Sequence, residues 1–134
     1  MHGLVSISSV YPFAETCRRL EAAIHDRGVR LFDKIDHAAL AERAGMTLRP
    51  TTAYVFGNPA AGTPLMERMP TLGLDLPLRV LVYAAQSVCY VCYWPLLALV
   101  ENHHGEIRSI RDAVAQIEAL VADLVSEAVG EPLT

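Results

Sequence analysis

Charge is scarce in this sequence: Asp, Glu, Lys and Arg make up 19% of its 134 residues, where about a quarter is usual. The 11 basic side chains are outnumbered by 15 acidic ones, giving a net charge of −4, and they form no basic stripe. Nucleic-acid binding therefore has no electrostatic footing. Cysteine is confined to Cys17, Cys89 and Cys92, an odd count that argues against a disulfide framework. Met1-His2-Gly3 runs straight into Leu4-Val5-Ser6-Ile7-Ser8, without the basic and apolar regions of a cleavable leader. A reducing cytoplasm is the expected setting.

What the chain does have is apolar surface, 52% of its residues. At this length one domain is expected, residues 1–134, burying roughly two-thirds of its unfolded surface. The apolar surplus points to a partner interface or to a membrane. From Val80 to Val100 no residue carries a formal charge, which satisfies the length test for a spanning helix. Gln86-Ser87 in mid-stretch and Pro95 argue instead for a hairpin followed by a helix start. A membrane association through 80–100 is the lesser alternative.

Periodicity gives an α+β fold: a five-stranded mixed sheet with helices packed against it, plus a C-terminal amphipathic helix. Leu4 to Ser8 reads as a strand. Phe13, Cys17, Leu20 and Ile24 form one helical stripe ended by Gly28. Val29 to Ile35 alternates, placing Val29, Leu31 and Ile35 on one strand face, and Asp36 caps a short helix from His37 to Ala44. Thr51 to Phe56 is a strand, followed by a turn cluster from Asn58 to Pro64 and a helix carrying Leu65, Met66 and Met69. Leu78 to Tyr83 and Val88 to Tyr93 make a hairpin, and Pro95 opens a helix ending near His103-His104. In the tail, Ser109 is the expected N-cap. Ile110, Val114, Ile117, Val121, Leu124 and Ala128 then repeat at four and three until Gly130 and Pro132. This seam serves either docking on the chain's own sheet or packing against another subunit.

Chemistry-bearing constellations are few. Cys89 and Cys92 fit C-x-x-C, but on a strand residues three apart face opposite sides and share neither an ion nor an easy disulfide. No second ligand pair exists, so no metal and no cofactor is expected. Asp36-His37 offers a carboxylate and an imidazole at a helix start. Asn58, Gly62 and Thr63 lie in a strand-to-helix turn whose backbone N–H groups suit a small anion, with Arg49 as a cationic partner. The candidate ligand-binding set is thus Asp36, His37, Arg49, Asn58, Gly62 and Thr63, set against the plainer reading of caps and turns. No nucleophile, base and charge stabiliser come together, so no catalytic residue is named.

Several blocks occur in a recognisable order: Ile35-Asp36-His37-Ala38-Ala39, Leu48-Arg49-Pro50-Thr51-Thr52, Phe56-Gly57-Asn58-Pro59 with Gly62-Thr63-Pro64-Leu65-Met66, and Leu74-Asp75-Leu76-Pro77-Leu78. Together they resemble the domain-of-unknown-function family 302 over about residues 4 to 104, with the helix at 109–130 as an addition. The resemblance implies a small α+β domain that pairs as a dimer and brings no established activity. The chain departs from the family at Ala84-Ala85-Gln86-Ser87 and at Tyr93-Trp94-Pro95, both of which add apolar surface. The expected function is a non-catalytic ligand-binding or interaction domain, homodimeric through the tail seam or the aromatic corner of Tyr90, Tyr93 and Trp94. The alternative is an enzyme or a metal- or anion-binding protein centred on Asp36, His37, Arg49 and the turn from Asn58 to Thr63.

Overall fold

The computed structural model describes residues 3–105 and 108–131; Pro132, expected to mark the end of the tail, lies outside them. Among the described residues, five strands and five helices follow in the order β1 (Val5–Ser8), α1 (Phe13–Asp26), β2 (Arg30–Asp36), α2 (His37–Arg43), β3 (Thr51–Gly57), α3 (Pro59–Arg68), β4 (Leu78–Ala85), β5 (Val88–Tyr93), α4 (Leu96–His103) and α5 (Arg111–Val129). A 3-10 turn, Pro70–Leu74, links α3 to β4. The sheet order is β1-β5-β4-β3-β2.

Every neighbouring pair in that sheet is antiparallel, so the expectation of a mixed sheet is corrected. The crossover through α1 does make β1 and β2 run the same way. It also delivers them to opposite edges, where they never pair. Val80 to Val100 is likewise divided among β4, β5 and α4. Gln86 and Ser87 take positive φ values of 52° and 71° in the hairpin turn, the geometry that a two-residue primed turn demands. Among the described residues no helix is long and apolar enough to cross a membrane.

One face of the sheet is covered by α1 and α5. Inward-facing Tyr54, Phe56, Val80, Val82, Cys89 and Val91 pack with Leu20 and Ile24 of α1 and with Val121, Leu124, Val125 and Ala128 of α5. A second cluster joins Leu65, Leu72, Leu96 and Val100 to Ile110 and Val114 at the start of α5. The tail seam is therefore turned inward, onto its own chain. Ile117 alone among the six seam residues is not buried. Ser109 does not cap α5; the cap position is Ile110, with no side-chain hydrogen bond.

Two local irregularities shape the end of the sheet where β3 meets α3. In β2 the register shifts between Leu31 and Asp33, leaving Phe32 as the extra residue of a bulge. Leu31 then sits opposite inward-facing Phe56 and Ile35 opposite outward-facing Ala53, so the expected shared face of Leu31 and Ile35 is lost at the bulge. The turn expected from Asn58 to Pro64 is in fact the beginning of α3. Asn58 caps it by accepting from the Ala60 N–H at 2.9 Å, and Pro59 occupies the first helical position, where its missing N–H costs nothing.

At the far end of α5, Gly130 has φ +83°, and a Cβ there would lie 2.6 Å from Tyr11 Cε2 and 2.7 Å from Val10 Cγ2. Both the left-handed backbone and the close approach require glycine. Gly130→Ala is expected to lower the unfolding free energy by about 2–4 kcal/mol, from left-handed strain plus overpacking. Urea denaturation compared with wild type measures it.

Candidate functional site

The six sequence candidates fall into two groups at opposite ends of the β2–β3 pair. Asp36 is opposite Thr52 while Arg30 is opposite Gly57, so Asp36 and Gly57 are separated by about 17 Å along the strands. Asp36 and His37 start α2, where the Asp36 carboxylate accepts from the Ala39 N–H at 2.9 Å. His37 and Arg49 are exposed near the same end; the Arg49 carbonyl accepts from the Thr51 hydroxyl at 2.9 Å. Asn58, Gly62 and Thr63 lie at the other end, in α3 and its cap. The two groups do not converge on one pocket.

Around the second group the structure does form a concavity, of about 180 Å³. It opens where β3 ends and β4 begins, on the helix-covered side of the sheet. Asn58, Gly62 and Thr63 line it together with Phe32, Met66, Leu76, Leu78, Ile117 and Leu120. The bulge in β2 is what turns Phe32 toward it, since an extra residue re-aims a side chain. No charged side chain is among the lining residues. The Asn58 carboxamide oxygen is already engaged as a helix cap.

Gly62 is unusual in this wall. It lies within α3 at an ordinary helical φ, and a Cβ built on it would meet Leu76 Cδ1 at 3.7 Å and Met66 Cε at 3.9 Å. Those are normal contacts, so neither backbone nor packing requires glycine. A glycine inside a helix costs about 1 kcal/mol relative to alanine.

Two polar clusters escaped the sequence reading because their members are far apart along the chain. In one, the Tyr54 hydroxyl donates to Glu21 Oε2 at 2.6 Å, and Lys34 Nζ lies 2.8 Å from the same oxygen. Burial pushes the Glu21 carboxyl upward, but hydrogen bonds from Lys34 and Tyr54 and the lysine charge outweigh it, leaving the group below its usual range. In the other, the His104 side chain is almost fully buried, with Nε2 2.5 Å from Asp75 Oδ2 and Nδ1 2.7 Å from Thr71 Oγ1. A hydroxyl, an imidazole and a carboxylate in series resemble the parts of a nucleophile relay. The series joins the 3-10 turn to the end of α4.

Cys89 is buried facing the helices and Cys92 faces the other way, opposite Leu81 and Ser6. All three cysteines are free. Burial pushes each thiol above its ordinary value, so none is poised as a thiolate nucleophile. Among the described residues, no three His, Cys, Asp or Glu side chains are grouped to hold a metal ion.

An antiparallel sheet with two long helices on one face, and a small apolar cavity at its end, defines an α+β domain. The chain belongs to the family described as "Domain of unknown function DUF302", whose profile matches residues 5–124. The match continues past residue 104 into α5, so most of the tail belongs to the family domain. A crystal structure of an uncharacterized conserved DUF302 protein from Bacillus stearothermophilus superposes with a TM-score of 0.81, covering 96% of this chain and 99% of that one. Their identity of 15% makes this a likeness of fold alone. The chain is also 44% identical over 81 residues to "Fluoride-specific ion channel FluC 1" of Brucella suis biovar 1 (strain 1330), which covers 60% of this chain and 32% of that protein. "Fluoride-specific ion channel FluC 2" of Brucella melitensis biotype 1 is similar to the same degree, with 30% of its length covered. The chain thus spans about a third of the length of these curated relatives.

The Glu21 cluster carries a pH dependence. A carboxyl depressed by folding contributes stability that is fully present above its unfolded value of 4.5 and is lost as pH falls through the lower folded value. Lys34, held upward chiefly by its hydrogen bond to Glu21, acts in the opposite direction: its share is full below 10.5 and is lost as pH rises through the folded value. Glu21→Gln keeps an acceptor for Tyr54 and removes the titrating charge. The variant is expected to lose stability less steeply than wild type below pH 4.5, as measured by urea unfolding across that range.

Proposed function

We propose that this chain is a non-catalytic interaction domain that pairs with a second copy of itself in a reducing, cytoplasmic setting. The observation that carries the reading is the sheet face turned away from α1 and α5. By strand alternation it carries half-buried Ile35, Leu81 and Cys92 in one row, around a buried Ala53, and half-buried Tyr83 with Tyr90 in the next. The two tyrosine rings stack at 5.4 Å. A sheet with one packed face and one apolar face needs a second layer, and a two-fold pair supplies it with the same patch from each subunit. Asp33 and Arg79 flank Val55 on that face, so a two-fold arrangement can set the carboxylate of one copy near the guanidinium of the other. Exposed Leu40, Met46 and Leu48 at the α2 end enlarge the apolar surface. The seam of α5 is spent within the chain and takes no part.

Sedimentation equilibrium tests the pairing. The wild type is expected to sediment as a dimer at micromolar concentration and Leu81→Lys as a folded monomer. A monomeric wild type would end the reading.

The likeness to proteins named as fluoride channels favours a second reading of what the domain serves. The part of those relatives that resembles this chain is about a third of their length, and the described residues of this chain contain no membrane-crossing helix. We therefore propose that this domain acts beside a fluoride channel, as a non-conducting partner. The Brucella suis relative, held on a resin in detergent, is expected to retain this chain at micromolar concentration; passage without retention would sink the proposal.

A further inference from the structure

We propose that the cavity between α3, α5 and Phe32 is a binding site for a small, uncharged, apolar molecule of roughly single-ring size. The site is separate from the pairing face, since it lies on the helix-covered side of the sheet.

Three independent features lead to this. The first is the state of the apolar side chains around it. Phe32 is 43% exposed, and Ile117 and Leu120 of α5 are only half-buried. Ile117 interrupts a seam whose other members are all buried, and the interruption falls at the cavity wall. An occupant would remove this apolar area from water and complete the seam, which is the main source of affinity in such a site.

The second feature is Gly62. Alanine would fit there with contacts of 3.7 and 3.9 Å and an ordinary backbone, and would strengthen the helix. Glycine instead sets the wall back by one methyl group, so the quantity it preserves is space. Gly57 does the same across the opening, where a Cβ would stand 3.6 Å from Pro77 Cβ and 3.8 Å from Phe32 Cε2.

The third feature fixes the class of ligand. The volume of about 180 Å³ matches apolar cavities of about 150 Å³ that admit benzene. No charged group lines the walls, and the Asn58 oxygen already accepts from the Ala60 N–H. A carboxylate or phosphate entering here would lose hydration without gaining a cation. A neutral ring or short branched hydrocarbon incurs no such loss.

Toluene and benzoate serve as matched probes, alike in size and differing in charge. Titration of the full chain with toluene is expected to raise the melting temperature and to give intermolecular NOEs from the ring protons to the methyl groups of Met66 and Ile117. Benzoate should bind at least about tenfold more weakly, the carboxylate being without a counter-charge. Gly62→Leu fills the space and should abolish the toluene response in a protein that still unfolds cooperatively. Gly62→Ala, which fits without strain, should raise the melting temperature of the free protein and weaken toluene binding. A wild type that shows neither NOEs nor a thermal shift with toluene would overturn the proposal. So would benzoate binding as tightly as toluene, or an unchanged response in folded Gly62→Leu.

Discussion

The docking of α5 onto α1 and the sheet is the contact on which the rest of the molecule depends. Val121, Leu124, Val125, Ala128 and Val129 are buried against a sheet face that α1 alone does not cover. Each of the valine and leucine side chains among them contributes about 1.5–3 kcal/mol on burial before entropy is charged. The N-terminal part of the same helix forms the second cluster with α3, the 3-10 turn and α4. This helix, together with Leu78 of β4, therefore ties the two apolar clusters into a single domain. The ion pair between Arg27 and Glu127 lies at the exposed edge of the α1–α5 contact and adds little, as surface pairs usually do.

Because α5 spans both clusters, its middle passes over the junction between them, and that junction is incompletely filled. Ile117 and Leu120 stand there with α3 on one side and the end of the sheet on the other. The β2 bulge brings Phe32 to the opening. The concavity is thus a product of one long helix laid across two packing units, bounded by a short helix rich in glycine and proline. Polar groups near it are turned to structural ends: Asn58 caps α3, and His104 fastens the 3-10 turn through Thr71 and Asp75. Their engagement leaves the cavity itself apolar.

Much of this was legible from residue patterns. The five strands and the hairpin at Gln86-Ser87 followed from alternation and turn residues, and the Asp36 cap from its position before a short apolar stripe. The opposite orientation of Cys89 and Cys92 followed from strand parity. The start of α3 was not legible, because Gly62 and Pro64 ordinarily mark breaks and here lie within the helix. The bulge at Phe32 was invisible to a strict period of two. Of the six candidate site residues, Asn58, Gly62 and Thr63 meet in the cavity wall, while Asp36, His37 and Arg49 lie at the other end of the strands. Proximity along the chain had grouped residues that an extended hairpin-like pair keeps apart.

The sequence by itself determined most of the local periods, and with them the type of most elements and the apolar side of the regular ones, the start of α3 and the bulged β2 excepted. It left open where each apolar side would be used. The seam from Ile110 to Ala128 suited both an intramolecular dock and a subunit contact, since a heptad-like repeat specifies a surface and not its partner. Only the tertiary structure decided that the seam turns inward. The crossover of α1 sends β1 and β2 to opposite edges, which makes the sheet antiparallel throughout and leaves one of its faces to the covering helices. Long-range contacts such as Tyr54 with Glu21, or His104 with Asp75, have no local signature, because what joins them is the path of the whole chain.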